Sequence, residues 1–196
     1  MGKIVYIMGK SSTGKDTIFK ELLRKNTYKY KQIVPYTTRP IREGEREGHE
    51  YHFTDEAGFQ SLKAEGKIIE DRAYDTMHGL WRYFTADDGQ IDKESNYMTI
   101  GTIESYIKIC EYYGSERIIP VLVELDDGVR LQRAINREKR QAEPKYEEMC
   151  RRFLADAVDF REERINELGI TEDERFENDV LCECVDRIKK FIRQNA

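Results

Sequence analysis

Residues 7–17, "IMGKSSTGKDT", set Gly9, Gly14 and Lys15 in the spacing G-x-x-x-x-G-K, the pattern of a loop that holds phosphates. The glycines let the backbone wrap closely around an anion, successive N–H groups then point inward, and Lys15 meets the outer phosphates of a nucleoside triphosphate. The whole run Gly9, Lys10, Ser11, Ser12, Thr13, Gly14, Lys15, Asp16 and Thr17 is therefore a candidate ATP site. The hydroxyl residue that normally closes the pattern is replaced by Asp16, with Thr17 behind it. Two readings stay open. Asp16 can ligate magnesium, directly or through water, because that ion prefers hard oxygens. Alternatively it sits as an anion in the first turn of a helix, and Thr17 contacts the α-phosphate. A carboxylate beside a triphosphate is repelled unless a cation lies between them, which favours the metal ligand.

The loop alone does not say what accepts the phosphoryl group. Residues 37–53, "TTRPIREGEREGHEYHF", bring a second cluster of charge. This run resembles the monophosphate-binding segment of guanylate kinases, T-T-R-x-x-R-x-G-E-x-x-G-x-[DH]-Y-x-F. With the loop, the arginine-rich stretch 127–152 and "FEND" at 176–179, the resemblance extends along essentially the whole chain. It implies an α/β P-loop nucleoside-monophosphate-kinase fold, ATP as phosphoryl donor with Mg2+, and GMP as acceptor.

Carried over by motif, Arg39 and Arg42 resemble the pair that clamps the GMP phosphate, with Tyr51 adding a hydroxyl and Glu45 falling in the same site. Arginine's planar fork binds phosphate oxygens two at a time and keeps its charge, which a lysine does not reproduce. Glu70 in "KIIED" is similar to the glutamate facing guanine, where one carboxylate accepts from both N1–H and the 2-amino group. Tyr83 and Thr85 match the Tyr-Gly-[Ser/Thr] part of that site, with Phe84 in place of glycine and extra residues before it. Arg137 and Arg152 are similar in placement to lid arginines that reach the transferring phosphoryl group, with Arg133 and Arg140 as further candidates. Asn178 resembles an asparagine turn beside adenine. Lys15, Arg42, Arg137 and Arg152 are thus expected to carry catalysis.

The pattern is broken in two places. Pro35 stands where the family has a serine that ligates phosphate, and "YMTIGT" puts Thr99 and Gly101 where a core strand usually carries D-x-D. The acid lost from that strand is matched by the acid gained at Asp16. A rival within the superfamily, the ribose 1,5-bisphosphate phosphokinases, also tends to show a lysine-aspartate loop and no aspartate pair, but an acceptor without a base has no use for Glu70. A non-catalytic guanylate-kinase-like binding module typically loses the phosphate loop, which is intact here.

These residues need rigid elements behind them. "KIVYIM" at 3–8 reads as a strand buried on both faces, and Ile18, Phe19, Leu22 and Leu23 recur at helical spacing, so strand, loop and helix (15–25) follow in order. Strands at 50–53, 67–71, 96–101 and 117–125 alternate with helices near 55–64 and 103–113, which predicts a parallel, doubly wound sheet. The expected division is a core of residues 1–34, 86–128 and 153–196, a GMP-binding insertion at 35–85 and a lid at 129–152. In the lid, two charged helices flank Pro144, the second running to Phe160, and a final helix carries Leu181, Cys184, Val185, Ile188 and Ile192.

With 38 acidic against 33 basic residues and a net charge of −5, nucleic acid and membrane surfaces are not expected partners. No apolar run approaches the roughly 18 residues of a spanning helix, and no export segment is evident, so a cytoplasmic location is expected. Cys110, Cys150, Cys182 and Cys184 lack disulfide spacing, and His49, His52 and His78 lack ligand spacing. The expected assembly is a monomer or weak homodimer.

Overall fold

The computed structural model describes residues 1–24, 29–42, 44–76 and 79–195. In chain order the elements are β1 (Ile4–Met8), α1 (Lys15–Arg24), β2 (Lys31–Gln32), β3 (Tyr36–Thr37), β4 (His52–Phe53), α2 (Glu56–Ala64), β5 (Ile68–Thr76) and β6 (Gly79–Ala86). They continue as β7 (Tyr97–Ile100), α3 (Ile103–Tyr113), β8 (Ile118–Glu124), α4 (Asp127–Glu138), α5 (Tyr146–Asp159), α6 (Glu162–Glu167), β9 (Arg175–Glu177) and α7 (Leu181–Asn195).

Five strands form a sheet in the order β2-β7-β1-β8-β9, every pair parallel. β1 is central and all five of its residues are buried. That burial is why its sequence is continuously apolar rather than alternating. One layer of the core packs Ile18, Phe19 and Leu22 of α1 with Cys184, Val185, Ile188 and Ile192 of α7 against Val5 and Ile7. The other packs Ile103, Tyr106 and Ile109 of α3 on Ile4, Tyr6 and Met8. Odd and even residues of β1 thus serve opposite faces, and the loop that follows β1 emerges at the carboxyl edge of the sheet, where open α/β folds place their ligands.

A second, four-stranded sheet, β4-β3-β6-β5, lies within residues 36–86. Its hairpin β5–β6 is antiparallel, with Glu70 opposite Thr85 and Arg72 opposite Tyr83. Phe84 points to the other face and packs with Phe59 of α2 and Tyr36, which explains why a bulky ring stands where the resemblance expects glycine.

The strands expected at 50–53 and 96–101 are shorter here, whereas the one at 67–71 is longer and pairs with an unexpected β6. β2, β3, β9 and α6 were not anticipated either, since two- and three-residue strands carry no period to read. Lys25, at the end of the expected first helix, and Met77 and His78 lie outside the described residues. Among the described residues no helix is long and apolar enough to cross a membrane.

Candidate active site

The loop between β1 and α1 closes with a hydrogen bond from the Thr13 hydroxyl to the Lys10 carbonyl at 2.9 Å, and Thr13 is fully buried. Gly9 (φ 153°) and Gly14 (φ 92°) are required by close approach. A side chain on Gly9 would overlap the Val123 carbonyl, and one on Gly14 would overlap the Asn178 amide. Ser12 adopts φ 66° and its Oγ is buried with no hydrogen-bond partner. A phosphate oxygen is the kind of ligand that would satisfy such an atom. Lys15 is half-buried at the start of α1, and Asp16 beside it is exposed in the first turn.

Several side chains hold this loop from behind. Asn178 donates to the Thr13 carbonyl at 2.7 Å and is buried, so its amide braces the loop. Asp156 of α5 accepts from the Ser11 N–H at 2.7 Å. Arg130 of α4 donates to the Ser11 carbonyl at 2.9 Å and to Asp156 at 2.9 Å, pairs with Asp127 and lies over the Phe153 ring at 4.8 Å. Arg130 is wholly buried. It is thus a fixed strut between the lid helices and the loop, not one of the swinging arginines that stretch 127–152 suggests.

The second sheet carries a further cluster of charged and aromatic side chains. Along β5, residues 70 and 72 share a face because side chains alternate. Buried Glu70 accepts from the Thr85 hydroxyl at 2.8 Å and pairs with Arg72 at 3.1 Å. Arg72 also reaches Thr102 Oγ1 of the core at 3.3 Å. Tyr83, on the same side, packs edge-on against Tyr51 with centroids 5.6 Å apart. Burial pushes the Tyr51 hydroxyl above its ordinary pKa; among charged neighbours, Arg39 and Arg72 pull it down and Asp16 pushes it up.

Arg39 is buried, with its fork held by both oxygens of Glu45 at 2.5 and 2.7 Å and its plane over the Tyr51 and Phe53 rings. Its Nε has no hydrogen-bond partner among the described residues. Glu45 also accepts from the Arg42 N–H at 2.9 Å, so Glu45 shapes the clamp by holding both arginines in place. The Arg42 side chain is exposed and lines an open cleft of about 630 Å3 with Thr38, Asp55, Leu80 and Trp81. The residues that line it do not include Lys15, Tyr51 or Glu70.

In the lid, Arg137 and Arg152 both lean on buried Glu138, at 3.9 and 3.8 Å. Among the described residues neither forms a hydrogen bond or ion pair with the loop. Arg133 comes close to it, its Nη1 lying 3.8 Å from where a Cβ on Gly14 would be. Where the resemblance expects an aspartate pair, Thr99 is buried and Gly101 has no room for one. A Cβ there would overlap the Tyr6 hydroxyl, which donates to the Thr102 carbonyl at 3.0 Å. Burial drives the Tyr6 pKa well above the usual tyrosine value. Among the described residues no group of three or more His, Cys, Asp or Glu side chains is placed to hold a metal.

Arg72, Asp156, Arg130 and Tyr6 were not foreseen as site residues. Arg72 had a signal, two residues from Glu70 on one strand. The others had none, because their partners lie on distant segments.

Residues 1–81 match the family model described as Guanylate kinase. A guanylate kinase of Schizosaccharomyces pombe is 43% identical over 68 residues, 35% of this chain and 34% of its own length. One of Clostridium tetani is 38% identical over 113 residues, 57% of this chain and 52% of its own. The matched part spans about a third of the length of the first of these relatives. The crystal structure of a guanylate kinase from Anaplasma phagocytophilum superposes with a TM-score of 0.67 at 20% identity, covering 98% of this chain and 85% of that one. The chain resembles guanylate kinases in the sequence of its first 81 residues and shares their P-loop nucleoside-monophosphate-kinase fold over nearly its full length.

Proposed function

We propose that this protein is a guanylate kinase, transferring the γ-phosphoryl group of ATP to GMP to give ADP and GDP. The observation that carries the reading is Glu70: a buried carboxylate, steadied by Thr85, on a sheet face that Arg72 ties to Thr102 of the core. Guanine offers two adjacent donors to such a carboxylate, and adenine offers none at that edge. The similarity of residues 1–81 to guanylate kinases supports the same reading.

The attacking oxygen belongs to the GMP phosphate, whose second pKa is about 6, so it is already largely anionic near neutrality and needs no side-chain base. Catalysis then consists of positioning and charge neutralisation around a loose transition state. In this scheme the loop N–H groups and Lys15 hold the β- and γ-phosphates, with Asn178, Asp156 and Arg130 fixing the loop's shape. Arg39, Arg42 and Tyr51 take the acceptor phosphate, Arg39 through its remaining Nε–H unless Glu45 yields the fork. Arg137, Arg152 and Arg133 come over the transferring group when the lid at 129–152 closes on the cleft between core and acceptor insertion, excluding water.

A single exposed carboxylate next to the phosphates fits magnesium, which is commonly held by one or two carboxylates together with substrate oxygens and its own waters. Asp16 would hold it, aided by the Thr17 hydroxyl, and the ion would neutralise charge on the β- and γ-oxygens. Asp16→Ala is expected to raise the magnesium concentration for half-maximal rate, with partial relief at high magnesium. An unchanged titration would leave Asp16 only its place in the first turn of α1. The reading carries with it a cytoplasmic role in purine nucleotide metabolism, as a monomer or weak homodimer without a nucleic-acid partner. Four unpaired cysteines and a net charge of −5 agree with it.

The test is a coupled assay of ADP formation across the common nucleoside monophosphates and ribose 1,5-bisphosphate. A preference for GMP is expected. Preference for ribose 1,5-bisphosphate, or no turnover with any acceptor, would replace the reading with one of its two rivals.

A further inference from the structure

Two residues along β5 from Glu70, on the same face, stands Arg72, a cation that the scheme above leaves without a part. Its guanidinium spans the gap between the two sheets. Nε and Nη2 lie 3.1 and 3.4 Å from the Glu70 oxygens, and Nη1 lies 3.3 Å from Thr102 Oγ1. A guanidinium carries five N–H donors, and these contacts engage three. The remaining two have no partner among the described residues. The side chain is only 20% exposed, against 2% for Glu70. Held by Glu70 at one end and by Thr102 of the core at the other, it bridges the second sheet and the core.

The fork is also loosely seated. Its contacts to Glu70 exceed the roughly 2.7–2.9 Å of a well-formed charge-assisted bond, whereas the neighbouring Arg39 grips Glu45 at 2.5 and 2.7 Å. A guanidinium in that condition can slide along the carboxylate and still keep one of its bonds.

We infer that Arg72 is a specificity-determining residue of the acceptor site, donating to the purine carbonyl at C6 while Glu70 accepts from the adjacent N1–H and 2-amino group. The inference rests on the guanine reading of Glu70. Along that edge guanine presents an acceptor and then two donors. A carboxylate answers the donors and leaves the carbonyl unmatched, and a donor fixed beside the carboxylate answers the carbonyl. Arginine donating to O6 and N7 is the commonest specific contact made to guanine. Adenine carries an amino group at C6 and would meet Arg72 donor against donor, so Arg72 and Glu70 reject it at neighbouring positions.

The opposing possibility is that Arg72 is a plug. Its fork imitates the N1/2-amino edge and covers Glu70 until guanine displaces it. The two roles differ in sign when the side chain is removed.

The experiment compares GMP with 6-thio-GMP, which keeps both N–H donors but places a poor acceptor at position 6. It measures kcat/KM and calorimetric Kd for the parent, Arg72→Ala and Arg72→Lys. Turnover of GMP by the parent tests the reading of Glu70; only the selectivity of the variants tests Arg72. Arg72→Ala is expected to lower kcat/KM for GMP by about 10- to 100-fold and that for 6-thio-GMP by less than about threefold, so the preference collapses. Arg72→Lys, with a charge still beside Glu70 and one donor to offer, should recover part of the preference. An unchanged preference in both variants, or tighter GMP binding by Arg72→Ala, overturns the inference. If thermal melting shows that Arg72→Ala does not fold, the lysine variant decides by the same comparison.

Discussion

Glu70→Gln isolates the residue on which substrate choice rests. The carboxylate offers acceptors on both oxygens: Thr85 occupies one at 2.8 Å and Arg72 lies against both, at contacts long enough for a base to compete for them. An amide keeps one oxygen and turns the other into a donor. Whichever way it is flipped, one of guanine's two donors then faces an N–H. A buried donor left unmatched costs about 1–3 kcal/mol, which corresponds to a loss in kcat/KM of about 5- to 150-fold. The variant also removes the charge partner of Arg72. Breaking a fully buried pair costs about 3–5 kcal/mol, and because Arg72 keeps some solvent contact that figure is an upper bound on the lost stability. The assay is steady-state kinetics with GMP and IMP, alongside thermal unfolding. IMP lacks the 2-amino group but keeps N1–H, so the glutamine oxygen still serves it. The loss for IMP should be the smaller, and the GMP:IMP preference should fall. Equal losses for the two acceptors, tracking a lowered Tm, would refute the reasoning and leave Glu70 a purely structural partner of Arg72.

Gly101→Ala should destabilise the fold by about 1–3 kcal/mol, because its Cβ enters the space of the Tyr6 hydroxyl. Adding Tyr6→Phe should recover part of that loss, and a chemical-denaturation double-mutant cycle with no coupling would contradict the overlap. Lys15→Ala should abolish transfer with Tm unchanged, since a half-buried loop lysine meets charge only in the transition state; turnover within about tenfold of the parent would remove it from the mechanism. The Glu45 carboxyl is held below its ordinary pKa, first by its bond to Arg39, so the stability it adds is present above about pH 4.3 and is lost as the pH falls through its lower folded value. Denaturant midpoints measured from pH 6 to 3 should show this slope flatten in Glu45→Gln, and parallel curves would contradict it.

The phosphate loop and the order of strand, loop and helix could be read from the sequence because the signal is local: two glycines and a lysine between an apolar run and a helical period. The Thr37–Phe53 segment was legible for a similar reason, as a dense motif. What could not be read depends on contacts between distant residues. Arg130 and Asp156 look like two more charges on solvated helices, yet both close on Ser11, more than a hundred residues away. That Asn178 donates to the Thr13 carbonyl and so pins the loop was equally invisible, 165 residues along the chain. β6 carries the motif residues Tyr83 and Thr85 on one face, but that it is a strand shows only once it pairs with β5 and Phe84 packs on Phe59 across the other face. Gly101 is the instructive case. The missing acid was visible in the sequence, but the reason one cannot simply be put back, a tyrosine hydroxyl from the neighbouring central strand, was not.

The central claim is that the loop and the acceptor cleft serve one phosphoryl transfer. The most direct measurement follows the γ-phosphoryl of radiolabelled ATP with GMP and magnesium present, separating products by chromatography. The account predicts label in GDP, dependent on both Lys15 and Glu70, with little in inorganic phosphate. Label appearing only as inorganic phosphate, at a rate indifferent to GMP and to Glu70→Gln, would mean that the cleft is not the acceptor site and would contradict the account.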